Sequence, residues 1–182
     1  MEKRMPTTRQ EHPASAAPLD ETGLRDLILE ILDENHVMCV ATVRSDGWPH
    51  ATLVNYLRLG RALYFVVARD SQKFENITRD SRVCIALGGG LLANGAVRGL
   101  SMAARAIEVS DPAHIQEINQ EIFRISKTAG FRPHPSSVLV AVMEARPSLI
   151  SVIDYTAPPG QREVVRAVED WRIERLPPET SH

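Results

Sequence analysis

Arg69, Ser71 and Lys73 stand close together between two apolar runs, "ALYFVVA" and "RVCIAL". Ser71 has the chemistry of a helix N-cap, because its hydroxyl can accept a hydrogen bond from a backbone N–H of the first turn. Phe74 and Ile77 follow at helical spacing and give the short element an apolar edge. Lys73 then falls in the first turn, with Arg69 just upstream. The amide end of a helix carries partial positive charge, so a cation there is unfavourable by roughly a few tenths of a kcal/mol. A bound anion reverses that sign: first-turn N–H groups, the Ser71 hydroxyl and the Lys73 ammonium would converge on a phosphate. For a single lysine the alternative is a solvated side chain on a surface helix, and the local sequence permits both.

An anion site of this kind needs a rigid sheet behind it. "LRDLILEILDEN" places Leu24, Leu27, Ile28, Ile31 and Leu32 on one helical face, starting near Asp20 or Thr22. "VMCVATV" reads as a strand, and Asp46-Gly47 in "RSDGWP" is a strong hairpin signal. "HATLVNYLR" and "ALYFVVA" read as strands around a tight turn at Leu59-Gly60-Arg61. "RVCIALG" leads through a Gly-rich loop to the long strand "AVRGLSMAARAIEVS". Asp111-Pro112 then opens a helix carrying Ile115, Ile118, Ile122 and Ile125, stopped by Gly130. "SVLVAVMEA" runs on past Pro147 as "SLISVID". The tail "REVVRAVEDWRIERLPP" fits a hairpin turning at Glu169-Asp170, or a helix with Val164, Val168 and Trp171 inward; Val and Ile on either side of the acidic turn favour the hairpin.

Tight turns between successive strands permit only antiparallel neighbours. Six or more strands, several apolar on both faces, predict an α+β fold: a closed or nearly closed antiparallel β-barrel with peripheral helices. Residues 1–18, rich in Pro, Ala, Thr and charge, are expected to be a disordered tail. The folded domain is expected over 19–155, with 156–182 as a C-terminal extension or closing hairpin.

With 182 residues the chain is one domain with a core of ordinary size, and 43% hydrophobic content agrees. A formal net charge of -2 argues against a nucleic-acid binder. Neither a leader-like apolar run near the start nor a stretch of about 18 apolar residues is present, so no membrane partner is expected. Cys39 and Cys84 lack metal spacing and read as buried free thiols in a reducing cytoplasm.

Three further motifs fail on context. "GGGLLA", Gly88 to Ala93, matches a dinucleotide fingerprint with Glu108 at about the expected distance, but Asn94-Gly95 breaks the chain before any helix. A parallel crossover needs roughly ten residues or more, so a hairpin loop is the better reading. "GLSMA", Gly99 to Ala103, is one residue short of a nucleophile elbow and lies mid-strand. The histidines, His36, His50, His114 and His134 among them, show no zinc spacing, so no metal is expected. "RPH", Arg132 to His134, reads as a loop where cation and imidazole could meet an anion.

The ordered set Asp46-Gly47-Trp48-Pro49, Tyr64-Phe65, Ser71-Gln72-Lys73, Asn76 and Asp80-Ser81-Arg82-Val83 resembles the pyridoxamine 5'-phosphate oxidase-like, FMN-binding split-barrel family. The resemblance runs from about Leu24 to Tyr155, and "WRIERLPP" is similar to the oxidases' ending. It implies a split barrel, FMN at the seam of a homodimer, and an oxidoreductase acting on a small-molecule substrate. Lys73 matches the phosphate-binding lysine; Ser71 and Gln72 fall where the family often has serine and arginine. Thr52 replaces a phosphate-binding arginine. Val66 and Val67 match the strand whose backbone borders the flavin ring, and Arg98 and Ser101 are candidates to reach across the dimer. The oxidases' substrate-handling R-x-H pair has no counterpart in "DYTAPPGQREVV", which implies a relative of the vitamin B6 enzyme with a different substrate. The same resemblance extends to deazaflavin-dependent reductases, and a non-catalytic flavin or haem binder stands as the alternative from another class.

Overall fold

The computed structural model describes residues 19–88, 96–129, 139–156 and 161–176. The Arg132/His134 pair, the N-terminal tail and most of the Gly-rich loop lie outside them. Among the described residues there are three helices, a one-turn 3-10 helix and nine strands in a single antiparallel sheet.

Helix α1 (Glu21–Glu34) begins at Asp20, whose carboxylate accepts from Gly23 N–H at 2.7 Å. Its five predicted core residues, Leu24, Leu27, Ile28, Ile31 and Leu32, are all buried, each contributing about 1.5–3 kcal/mol relative to exposure. Strands β1 (Val37–Val43) and β2 (Pro49–Asn55) form the Asp46-Gly47 hairpin, in which Gly47 has φ 86°.

The predicted strand from His50 to Arg58 is two strands. β2 ends at Asn55, and β3 (Leu57–Leu59) pairs instead with β4 (Ala62–Ala68). Tyr56 makes the break: its N–H donates to His36 O at 3.2 Å and its hydroxyl to Leu32 O at 2.7 Å. Those bonds pin the corner to α1, so the chain leaves one side of the barrel and starts the other.

Helix α2 (Gln72–Arg79) and strands β5 (Arg82–Gly88) and β6 (Arg98–Glu108) follow. β5 and β6 are antiparallel neighbours with Gly88 opposite Gly99, so the Gly-rich segment joins hairpin strands and no crossover exists. Gly88 has φ 99°, and a Cβ there would meet Gly99 Cα at 2.5 Å. Helix α3 (Pro112–Ala129) seals Ile118 and Ile122 against Ala62, Tyr64, Val109 and Val142.

Strand β7 (Val140–Asp154) explains why the barrel is split. One edge pairs with β6 along most of its length. The other edge pairs with β4 from Val140 to Ala145, then with β8 (Gln161–Ala167) from Leu149 to Asp154. Pro147, which has no N–H for a ladder, sits at the fork, beside a register shift that leaves Ser148 without an opposite number. The C-terminal segment is the hairpin: β8 and β9 (Ile173–Arg175) pair, and Val165, Trp171 and Ile173 enter the main core.

The cysteines differ from expectation. Both are free, but Cys84 is exposed and Cys39 half-buried, on the outer face of β5 and β1. Alternation explains it: Val83, Ile85 and Leu87 take the inward positions.

Candidate functional site

Ser71 is the N-cap of α2, accepting from Phe74 N–H at 3.3 Å and donating to Ala68 O at 2.6 Å. Its hydroxyl hydrogen is therefore spent on the turn. The helix is fastened to the sheet by a buried polar chain. Gln72 donates to Asn76 Oδ1 at 3.1 Å, Asn76 Nδ2 to Thr42 Oγ1 at 2.9 Å, and Thr42 to His50 O at 3.2 Å. Asn76 is only 1% exposed, so its amide positions α2 and is unavailable to a ligand.

Asn76 meets Thr42, and Arg79 hydrogen-bonds Val43 O. The helix thus advances in the same direction as β1. Lys73 stands one turn before Asn76 on the same helical face, in the first turn of α2. Lys73 is half-buried, and desolvation pulls its ammonium below the usual lysine range. Among the described residues it has neither a hydrogen bond nor an ion pair. On β2, Thr52 Oγ1 and His50 Nδ1 are buried with no hydrogen-bond partner. Unmatched buried polar atoms are uncommon and call for an explanation.

The strand side of the site is equally open. β3 covers β4 only from Ala62 to Tyr64, so from Phe65 to Ala68 the edge away from β7 has no strand among the described residues. β2 is likewise an edge, and the two strands approach without pairing. Val66 and Val67 line this slot by backbone alone, since their side chains pack into opposite cores. An unpaired ammonium and a free hydroxyl are groups that suit an anion, and free strand backbone suits the edge of a planar ring.

Arg69 does not join them. Its guanidinium forms a bidentate pair with Glu108, with one contact at 3.2 Å, and lies 5.4 Å from the Phe74 ring centre. Its positive charge is thereby met within the chain. Arg98 and Ser101 lie elsewhere too. Arg98 is ten residues along β6 from Glu108, roughly 33 Å at 3.3 Å per residue. It is held by Glu30 at 2.7 Å, Glu34 at 3.4 Å and Asp154 at 3.9 Å, and is 18% exposed. Ser101 faces outward beside Cys84, 3.8 Å from its sulfur. Of the predicted cofactor residues, then, Ser71, Gln72 and Lys73 form the start of α2, Thr52 lies on the edge strand β2, and Val66 and Val67 lie on the open stretch of β4. His50 was missed, although its period-2 spacing with Thr52 and Val54 on β2 places all three on one face.

The family model for pyridoxamine 5'-phosphate oxidase matches residues 24–151. No curated protein matches the chain. Among solved structures, a Listeria innocua protein provisionally described as a pyridoxamine 5'-phosphate oxidase is 27% identical. The match covers 71% of this chain and 97% of that one, with a TM-score of 0.56. The general stress protein 26 of Bacillus anthracis is 19% identical over 79% of this chain and 98% of its own, with a TM-score of 0.58. A haem-binding protein of Mycobacterium smegmatis is 17% identical over 83% of this chain and 60% of its own, at TM-score 0.64. With its split antiparallel sheet, its open slot beside α2 and a family match over most of its length, the chain belongs to the pyridoxamine 5'-phosphate oxidase family.

Proposed function

We propose that the protein is an FMN-binding oxidoreductase that works as a homodimer on a small molecule other than pyridoxamine 5'-phosphate. The observation that carries the reading is Lys73, a half-buried ammonium at a helix start with no counter-ion among the described residues, and β2 adds the buried, unpartnered Thr52 hydroxyl. A phosphate would complete both. Lys73, Thr52 and the α2 N–H groups would hold the FMN phosphate, and the open edge of β4 at Val66 and Val67 would border the ring. The flavin, when bound, supplies the electron-transfer chemistry, while the chain fixes its orientation and access.

The homodimer is supported by the outer face of β2, β1, β5 and β6. Leu53 is 73% exposed there, and Ala51, Cys84, Ala86 and Ala103 accompany it, with Arg82 and Arg105 at one end of the face. Because Arg98 is engaged by three carboxylates, Ser101 is the better candidate to reach a second subunit's flavin. Free thiols on this face suit a cytoplasmic setting, and no described helix is long and apolar enough to cross a membrane.

Ultraviolet–visible spectra of the purified protein, followed by FMN titration, test the reading. Flavin bands and quenching of flavin fluorescence on binding are expected, with no oxygen-dependent conversion of pyridoxamine 5'-phosphate. A Soret band, or selective uptake of a deazaflavin, would replace FMN by one of the cofactors that neighbouring structures suggest.

A further inference from the structure

A second cavity, of about 610 Å³, opens at the fork of β7, well away from Lys73. Arg61, at the start of the β4 hairpin, lines one wall, and Lys73 lies beyond the far end of that strand. Ala62 to Ala68 separates the two, roughly 20 Å at strand rise. The opposite wall holds Arg105 of β6 and Arg146 of β7, directly opposite each other in the ladder. Arg82 of β5 is opposite Arg105 in turn.

Three arginines side by side on neighbouring strands oppose folding, since like charges in cross-strand positions repel. Local partners relieve only part of this. Arg82 is neutralised by Asp80 at 2.6 Å, and Arg146 pairs with the buried Glu144. Arg105 hydrogen-bonds the Ser81 hydroxyl at 3.1 Å and shares Asp80 only at longer range, behind Arg82, so it has no ion pair of its own among the described residues. Arg61 has no ion pair among the described residues. Among the described residues, Glu169 is the one carboxylate lining the cavity.

The floor is apolar, formed by Ile107, Pro147 and Trp171. Two departures from regular backbone build it. The bulge at Pro147-Ser148 parts the β4 and β8 branches, and Asp170 and Trp171 both adopt positive φ, 51° and 58°. A tryptophan in that region is a steric outlier, and such outliers cluster at functional sites. Its indole N–H donates to Gly60 O at 2.5 Å, locking the floor to the turn that carries Arg61.

We propose that this cleft is a second anion site, separate from the cofactor slot, that takes a small molecule with a phosphate monoester on a planar or apolar body. Arg61 and Arg105 supply two guanidinia for a group that is dianionic near neutral pH, and Ile107, Pro147 and Trp171 receive the body. A single carboxylate would meet only half of that charge.

The chain has two tryptophans, and Trp48 is 70% exposed in the first hairpin. Trp48→Phe therefore leaves Trp171, at the cleft, as the only indole reporter. In the full chain carrying Trp48→Phe and Lys73→Met, which removes the other phosphate site, phenyl phosphate should change Trp171 fluorescence saturably. Calorimetry should return the same affinity. Inorganic phosphate, benzoate and benzyl alcohol should each bind more weakly. Arg61→Ala or Arg105→Ala should weaken phenyl phosphate about ten-fold or more, and Glu169→Gln should tighten it. The arginine variants should leave FMN binding unchanged. Absence of saturable binding by both readouts, affinity indifferent to Arg61 and Arg105, or equal affinity for benzyl alcohol would each overturn the proposal.

Discussion

Replacing Lys73 by methionine keeps the aliphatic stem and removes the charge. The wild-type ammonium is half-buried without a carboxylate, so the apo fold gains nothing from it electrostatically. The sign of the pH effect follows. The unfolded chain holds this proton with the ordinary lysine value of 10.5 and the folded chain holds it less tightly. Between the lowered folded value and 10.5, the apo protein should gain stability from this group as pH rises, a gain absent in Lys73→Met. Bound phosphate favours the charged form, so FMN affinity should fall as pH rises through the same window. At neutral pH a charge-assisted contact is worth about 1.5–3 kcal/mol, which predicts about ten- to hundred-fold weaker FMN binding in the variant. FMN at one hundred times the wild-type Kd adds about 2.7 kcal/mol of stability, a Tm rise of roughly 5–11 °C for a chain of this length. A variant with hundred-fold lower affinity would keep only about 0.4 kcal/mol of that. Flavin-fluorescence titration gives the affinities and thermal melts with and without FMN give the linkage. A Lys73→Met protein with wild-type affinity would refute the phosphate reading and leave a solvated lysine.

Asn76→Ala removes the donor to Thr42 and the acceptor for Gln72; it should cost about 1–3 kcal/mol in urea unfolding, and a wild-type midpoint would show that the polar chain does not hold α2. Gly88→Ala forces a side chain onto a positive-φ position facing Gly99, so about 1–3 kcal/mol is expected from backbone strain alone, before the clash; an unchanged melting temperature would contradict the close pairing there. Leu53→Glu, on the exposed outer face of β2, should leave monomer folding intact, shift sedimentation toward monomer and weaken FMN binding. A stable dimer in that variant would place the interface elsewhere.

Local chemistry carries much of this molecule. The five-residue face of α1, the Ser71 cap, the Asp46-Gly47 turn and the extent of β1 each follow from residue types at short spacing, because the forces that fix them act within a turn or two of chain. Thr52 and Lys73 are linked to one expected phosphate site only through an ordered motif resemblance, since nothing local links positions twenty-one residues apart. What tertiary structure decided is which groups stay free. Arg69 and Lys73 are equivalent as sequence, yet Glu108, thirty-nine residues on, claims the first and nothing described claims the second. The break at Tyr56 is equally non-local, set by bonds to Leu32 and His36 that outweigh a continuous β-propensity. The arginine row shows the same limit. Arg82, Arg105 and Arg146 are far apart in the chain, and only strand register, fixed by the inward apolar alternation and the bulge at Pro147, sets them side by side.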